Sequence, residues 1–106
     1  MRHFNATALN NYLDQLVQKP LLLDVREPWE FEICHLAGSV LLPMSKIPHN
    51  IHTLNPARET VLICHHGIRS RRIGYFLEQN GFINLINLTG GLAAWAEEVD
   101  LQMLTY

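Results

Sequence analysis

Four short apolar runs constrain this chain more than anything else in it: Leu21–Val25, Val40–Leu42, Thr60–Ile63 and Leu85–Leu88. Each is close to continuous rather than alternating. A strand covered on both faces reads this way, and such strands belong to parallel sheets with helical crossovers. The intervening segments supply the crossovers. Arg2–Phe4 reads as a further short strand, and Asn5 or Thr7 caps a helix with Leu9, Leu13, Leu16 and Val17 on one face, ended by Pro20. Pro28 opens a short helix through Trp29, Phe31 and Ile33 that stops near His35 and Gly38. Met44–Pro56, with Pro48 and Pro56, reads as an irregular or short helical connection. Ser70–Asn80 carries Ile73, Phe76 and Leu77 at helical spacing and closes on Gly81, and Gly90-Gly91 turns the chain into a last helix with Leu92, Trp95 and Val99 on one side. The expected fold is a small α/β domain spanning residues 1–106, with a largely parallel sheet of four to five strands.

A net charge of -2 with 17% charged residues provides no basic field for nucleic acid or an anionic membrane surface, so neither is expected as a partner. The start of the chain lacks an apolar leader core and no stretch is long enough to span a bilayer, so the expected location is the cytoplasm. Cys34 and Cys64 are too few for a disulfide framework, and each stands beside histidine, which raises reactive and metal readings. Adjacent ligands seldom point at one ion, and Cys34-His35 with Cys64-His65-His66 matches no common zinc spacing, so no metal is expected.

The segment Ile63-Cys64-His65-His66-Gly67-Ile68-Arg69-Ser70 carries the chemistry. It sets a cysteine at the carboxyl end of a buried strand, before a loop that feeds a helix, where open α/β sheets bind ligands. Amides of such a loop can converge as an anion nest with the helix dipole behind them. That field favours a nucleophilic thiolate, and Arg69, with His65 or His66 when protonated, would add positive charge. A lone strand-end cysteine is most often plain packing. Gly67, which permits a tight loop, and Arg69 at its end favour the reactive reading here. Arg71 and Arg72 read as solvated helix-face residues, one of which could widen the positive rim.

Three motifs in order and spacing resemble the rhodanese-like domain family over nearly the whole chain. Leu23-Asp24-Val25-Arg26-Glu27-Pro28-Trp29-Glu30-Phe31 with His35-Leu36-Ala37-Gly38-Ser39 and Leu42-Pro43 is similar to its amino-terminal signature, Cys64 to Ser70 to its active-site loop, and Gly90-Gly91-Leu92-Ala93-Ala94-Trp95 to its carboxyl-terminal signature. The resemblance implies a parallel sheet flanked by helices on both faces and a sulfurtransferase without a cofactor. Cys64 would take a sulfane sulfur from a small anionic donor such as thiosulfate, or from a protein persulfide, and pass it to cyanide, a small thiol or a protein thiol. His65, His66, Gly67, Ile68, Arg69 and Ser70 would bind the substrate through their amides. Two other readings of the same fold stay open. One is a phosphatase or arsenate reductase, whose loops carry one more residue than the four, His65 to Ile68, found here between cysteine and arginine. The other is a non-catalytic interaction module, against which the joint presence of Cys64, Gly67 and Arg69 argues.

Two positions depart from the family pattern. Cys34 stands where glycine is usual and reads as a packed replacement at a helix end, with a second thiol that resolves or receives the sulfur as the alternative. His65-His66 supplies only partial charge near neutral pH, so thiosulfate turnover is expected to be weak or pH-dependent. Asp24, Arg26, Glu30 and His35 read as structural: Asp24 as an acceptor of backbone or loop hydrogen bonds, Arg26 and Glu30 as an ion pair, His35 as a satisfied half-buried ring, with Asp24 also a candidate neighbour of the active loop. Trp29 and Trp95 read as core or rim packing.

Overall fold

The structure, a computed structural model, describes residues 1–106. Five strands, β1 (Arg2–Phe4), β2 (Leu21–Asp24), β3 (Val40–Leu41), β4 (Thr60–Ile63) and β5 (Leu85–Leu88), alternate with α1 (Ala6–Gln15), α2 (Pro28–Ile33), α3 (Ile47–Asn50), α4 (Ile68–Gln79) and α5 (Gly91–Glu98). The strands form one sheet in the order β1-β5-β4-β2-β3, and every adjacent pair is parallel. The connection over Met44–Thr53 is α3 between two 3-10 turns.

The continuous apolar runs have a direct cause. Val61 and Ile63 of β4, with Ile86 and Leu88 of β5, pack with Ala6 and Leu9 of α1 and Leu92 and Trp95 of α5. Their neighbours Leu62 and Leu85 join Leu23 in a second cluster with Ile47 of α3 and Ile73 and Leu77 of α4. Helices therefore cover both faces. Each fully buried leucine or isoleucine contributes about 1.5–3 kcal/mol, so the apolar side chains on both faces of the central strands add to the core.

Three expectations about local structure change. Asn5 does cap α1, its Oδ1 accepting the Ala8 N–H at 2.8 Å, but the helix ends at Gln15, well before Pro20. The chain has already turned extended at Leu16, four residues before Pro20, leaving Val17 99% exposed rather than on the apolar face. α4 begins at Ile68, not Ser70, which puts Arg69 and Ser70 in its first turn. The Arg26–Glu30 ion pair does not form. Arg26 instead grips Asp24, both fully buried, with Nη2 donating to Oδ2 at 2.7 Å and Nε to Oδ1 at 2.9 Å. Burial alone would lower the Arg26 pKa, but the hydrogen bonds to Asp24 and Tyr106 outweigh it and hold the guanidinium charged.

Candidate active site around Cys64

β4 delivers Cys64 to the carboxyl edge of the sheet, and the chain reverses through Gly67 at φ 89 to start α4. The Cys64 side chain is almost fully buried, and its Sγ accepts N–H bonds from Gly67 at 3.0 Å and Ser70 at 3.3 Å. Only these two of the loop amides expected to converge reach the sulfur. They sit at the start of a helix of twelve residues, whose dipole favours negative charge there. The loop is held from behind by α5: the amides of Leu92 and Ala93 donate to the Cys64 and His65 carbonyls at 2.9 and 3.0 Å. Gly91 makes that approach possible, since it adopts φ 60 and any Cβ on it would collide with the His65 carbonyl.

A third group faces the sulfur. Ser70 Oγ lies 3.2 Å from Sγ and donates to Asn87 Oδ1 at 2.6 Å, while Asn87 Nδ2 donates to the Gly67 carbonyl at 3.3 Å. The carbonyl fixes which way the Asn87 amide points, so the single Ser70 proton goes to Asn87 and a lone pair faces Cys64. Asn87 is buried in the middle of β5 and escaped the sequence reading. Its signal was a polar residue inside an apolar run, the same anomaly that marks Asp24.

Arg69 and Ile68 line the mouth over the sulfur together with His65 and His66, around a cavity of about 250 Å³. Arg69 is not a free cation. It forms a two-pronged pair with Glu30 of α2, at 2.7 and 2.9 Å, which locks the guanidinium beside the loop. Tyr106 joins this network: its hydroxyl donates to Glu30 Oε2 at 2.7 Å and accepts from Arg26 at 2.9 Å, and its ring stacks on His65 at 4.3 Å and meets Trp29 edge-on. Burial, then the Glu30 bond, pushes the Tyr106 phenol up to about 12. Burial, followed by repulsion from His66, pushes His65 below the usual imidazole range, so its ring is neutral near pH 7. Of the two histidines that could add positive charge when protonated, His65 is therefore the poorer source, its ring lying between those of Tyr106 and His66. His66 is exposed and meets the His65 ring at 4.0 Å.

The sequence matches the model of the rhodanese-like domain over residues 6–98. The chain belongs to the rhodanese-like domain family. It is 36% identical over 76 residues to a protein of Allochromatium vinosum named sulfurtransferase, covering 72% of this chain and 71% of that one. It is 37% identical over 89 residues to a rhodanese-like/PpiC domain-containing chloroplastic protein of Arabidopsis thaliana, covering 80% of this chain but spanning only 30% of that larger protein. A rhodanese-like domain protein from Staphylococcus aureus superposes with a TM-score of 0.80 at 33% identity, over 93% of this chain and 95% of that one. Membership and relatives together support a transferase of the sulfurtransferase type.

Within this rhodanese-like frame the first signature acts through contacts its spacing did not reveal. Glu30 belongs to Arg69, and the main cause of its acidity is that hydrogen-bonded pair, which holds its carboxyl down at about 2. A carboxyl depressed on folding contributes stability that is fully present above its ordinary value of 4.5 and is lost as pH falls toward about 2. For this nearly buried group the contribution is about 3 kcal/mol. Urea denaturation is expected to show Glu30→Gln less stable than wild type at neutral pH, with the two converging through that acid window. Parallel curves would mean that the pair adds nothing.

Cys34 lies at the carboxyl cap of α2, half-buried against the cluster that contains Trp95, while Cys64 belongs to the other cluster. The Cys34 Sγ has Arg26 Nη1 at 3.9 Å, and its carbonyl accepts from Nη2 at 2.6 Å. Both thiols are free. His35 is satisfied as expected, its Nδ1 2.8 Å from the Phe31 carbonyl, but it is exposed and stacked on Phe31 rather than half-buried. No helix is long and apolar enough to cross a membrane.

Proposed function

We propose that this protein is a sulfurtransferase that carries sulfane sulfur on Cys64. The observation that carries the reading is the buried Cys64 Sγ receiving two backbone N–H groups at the amino end of α4, beside the Arg69–Glu30 pair. In the first step the Cys64 thiolate attacks the outer sulfur of thiosulfate. A new S–S bond forms, the bond to the sulfonate breaks, and sulfite leaves with the electron pair. A persulfide donor reacts in the same way and leaves as a thiolate. In the second step cyanide attacks the outer sulfur, the bond to Cys64 breaks, thiocyanate departs and Cys64 recovers its thiolate. A small or protein thiol takes the sulfur by the same displacement.

The Gly67 and Ser70 amides are fixed before either step. They offset charge on Sγ as attacking group and again as leaving group, without reorganising. The mouth, with Arg69 at its rim, suits a compact anion. Four residues between Cys64 and Arg69 give a tight loop, favouring sulfur over the larger phosphoryl group. The reduced protein, incubated with thiosulfate, is expected to gain the mass of one sulfur and to lose it on addition of cyanide. No gain from thiosulfate or from a protein persulfide would overturn the reading in favour of a binding module.

A further inference from the structure

A second groove, of about 400 Å³, runs around the outer side of the active loop. It shares His66 and Ile68 with the mouth over Cys64, so the two openings adjoin. From there it passes Arg71 and Tyr75 of α4 and reaches His3 on β1 and Thr89 after β5. Its lining has a guanidinium, two imidazoles and two hydroxyls, and no carboxylate at all. Arg71 contrasts with Arg2, Arg26 and Arg69, which pair with Glu59, Asp24 and Glu30: its side chain enters no ion pair within the chain. An unpaired guanidinium among hydrogen-bond donors, with nothing acidic to occupy it, fits a carboxylate.

We infer, resting on the sulfurtransferase reading of Cys64, that this groove seats the carboxylate end of a small thiol acceptor whose sulfur reaches the adjoining mouth. Thiosulfate is too compact to fill it, and a simple thiol or cyanide has no group to place there. The acceptor loses its thiol proton to solvent and attacks the outer sulfur of the Cys64 persulfide as a thiolate. The bond between that sulfur and Sγ breaks, Cys64 keeps the electron pair as thiolate, and the acceptor leaves as a persulfide anion. Arg71 acts on where the acceptor sits and not on the reacting sulfurs.

The test is discharge of the thiosulfate-loaded protein by mercaptosuccinate and by 2-mercaptoethanol, in wild type, Arg71→Ala and Arg72→Ala. Arg72 is an exposed arginine next along α4 that does not line the groove. Loss of one charge-assisted hydrogen bond is expected to raise the half-saturating concentration of mercaptosuccinate about tenfold in Arg71→Ala, relative to that of 2-mercaptoethanol, with the maximal rate held. Arg72→Ala is expected to leave that ratio alone. An equal effect of the two variants would reduce the groove to general electrostatics and overturn the inference, as would no effect of either. Failure of every acceptor would instead strike the sulfurtransferase reading. The groove is then judged by titrating succinate onto the reduced protein: backbone amide NMR signals of Gly67, Ile68 and Thr89 should move in wild type and not in Arg71→Ala, and unmoved signals in wild type would rule the subsite out.

Discussion

A Cys64→Ser protein is expected to gain no sulfur from thiosulfate, while Cys34→Ser loads as fully as wild type, both read by intact mass. The asymmetry follows from what surrounds each sulfur. Cys64 Sγ accepts two backbone N–H bonds at the start of a twelve-residue helix, a setting in which the thiolate is stabilised by donors already in place. A serine hydroxyl in the same nest does not ionise near neutral pH and has no second base to take its proton, so nucleophilic attack stops outright. Folding should survive, because the hydroxyl can keep the Gly67, Ser70 and Ser70 Oγ partners of the thiol it replaces. Cys34 has no backbone donor at its sulfur, only the Arg26 guanidinium at 3.9 Å, and that guanidinium is already held by Asp24. If Cys34→Ser loaded normally but released its sulfur more slowly, Cys34 would regain a place in the relay; loss of loading in Cys34→Ser would refute the single-thiol account.

Much of this was legible in the sequence because it is local. A near-continuous apolar run of only four or five residues between turn residues is too short for a buried helix and reads as a strand covered on both faces, and β2, β4 and β5 follow directly. Cys64, Gly67 and Arg69 are neighbours in the chain, so their meeting at one loop could be read from spacing alone. What escaped the reading depends on contacts between distant segments. Glu30 and Arg69 are thirty-nine residues apart, and Tyr106 stands seventy-six from Glu30. Local spacing instead offered Glu30 to Arg26, four residues away, but the Glu30 carboxylate turns to the distant Arg69 and Arg26 pairs with Asp24, two residues before it. Asn87 illustrates a signal that was present but unread. A buried amide inside an apolar strand needs partners, and Asn87 finds them in the Ser70 hydroxyl and the Gly67 carbonyl of the loop that carries Cys64. The exposure of Val17 has the opposite origin: helical periodicity ran on in the sequence after the helix itself had ended.

The largest expected loss of stability comes from Asp24→Ala. Asp24 and Arg26 are both fully buried, and removing the carboxylate leaves a guanidinium that cannot be deprotonated enclosed in the core. Breaking a buried pair in this way costs about 3–5 kcal/mol, a large share of the stability of a domain this size. Urea denaturation should show the midpoint falling with little change in slope. Replacing both partners by apolar residues, Asp24→Leu with Arg26→Met, separates two causes. If the pair merely offset its own desolvation, the double variant would recover wild-type stability. Recovery should instead be partial, because Arg26 also donates to the Glu30 and Cys34 carbonyls and to the Tyr106 hydroxyl, at 3.3, 2.6 and 2.9 Å. The Glu30 carbonyl keeps the Cys34 N–H at 3.3 Å, but the part-buried Cys34 carbonyl loses its Arg26 donor, at a cost of about 1–3 kcal/mol. The same loss frees Tyr106, which steadies the Glu30 carboxylate that holds Arg69, so the double variant should also load sulfur from thiosulfate more slowly than wild type. Full recovery of both stability and loading would show that the pair is tolerated in the core without organising the site.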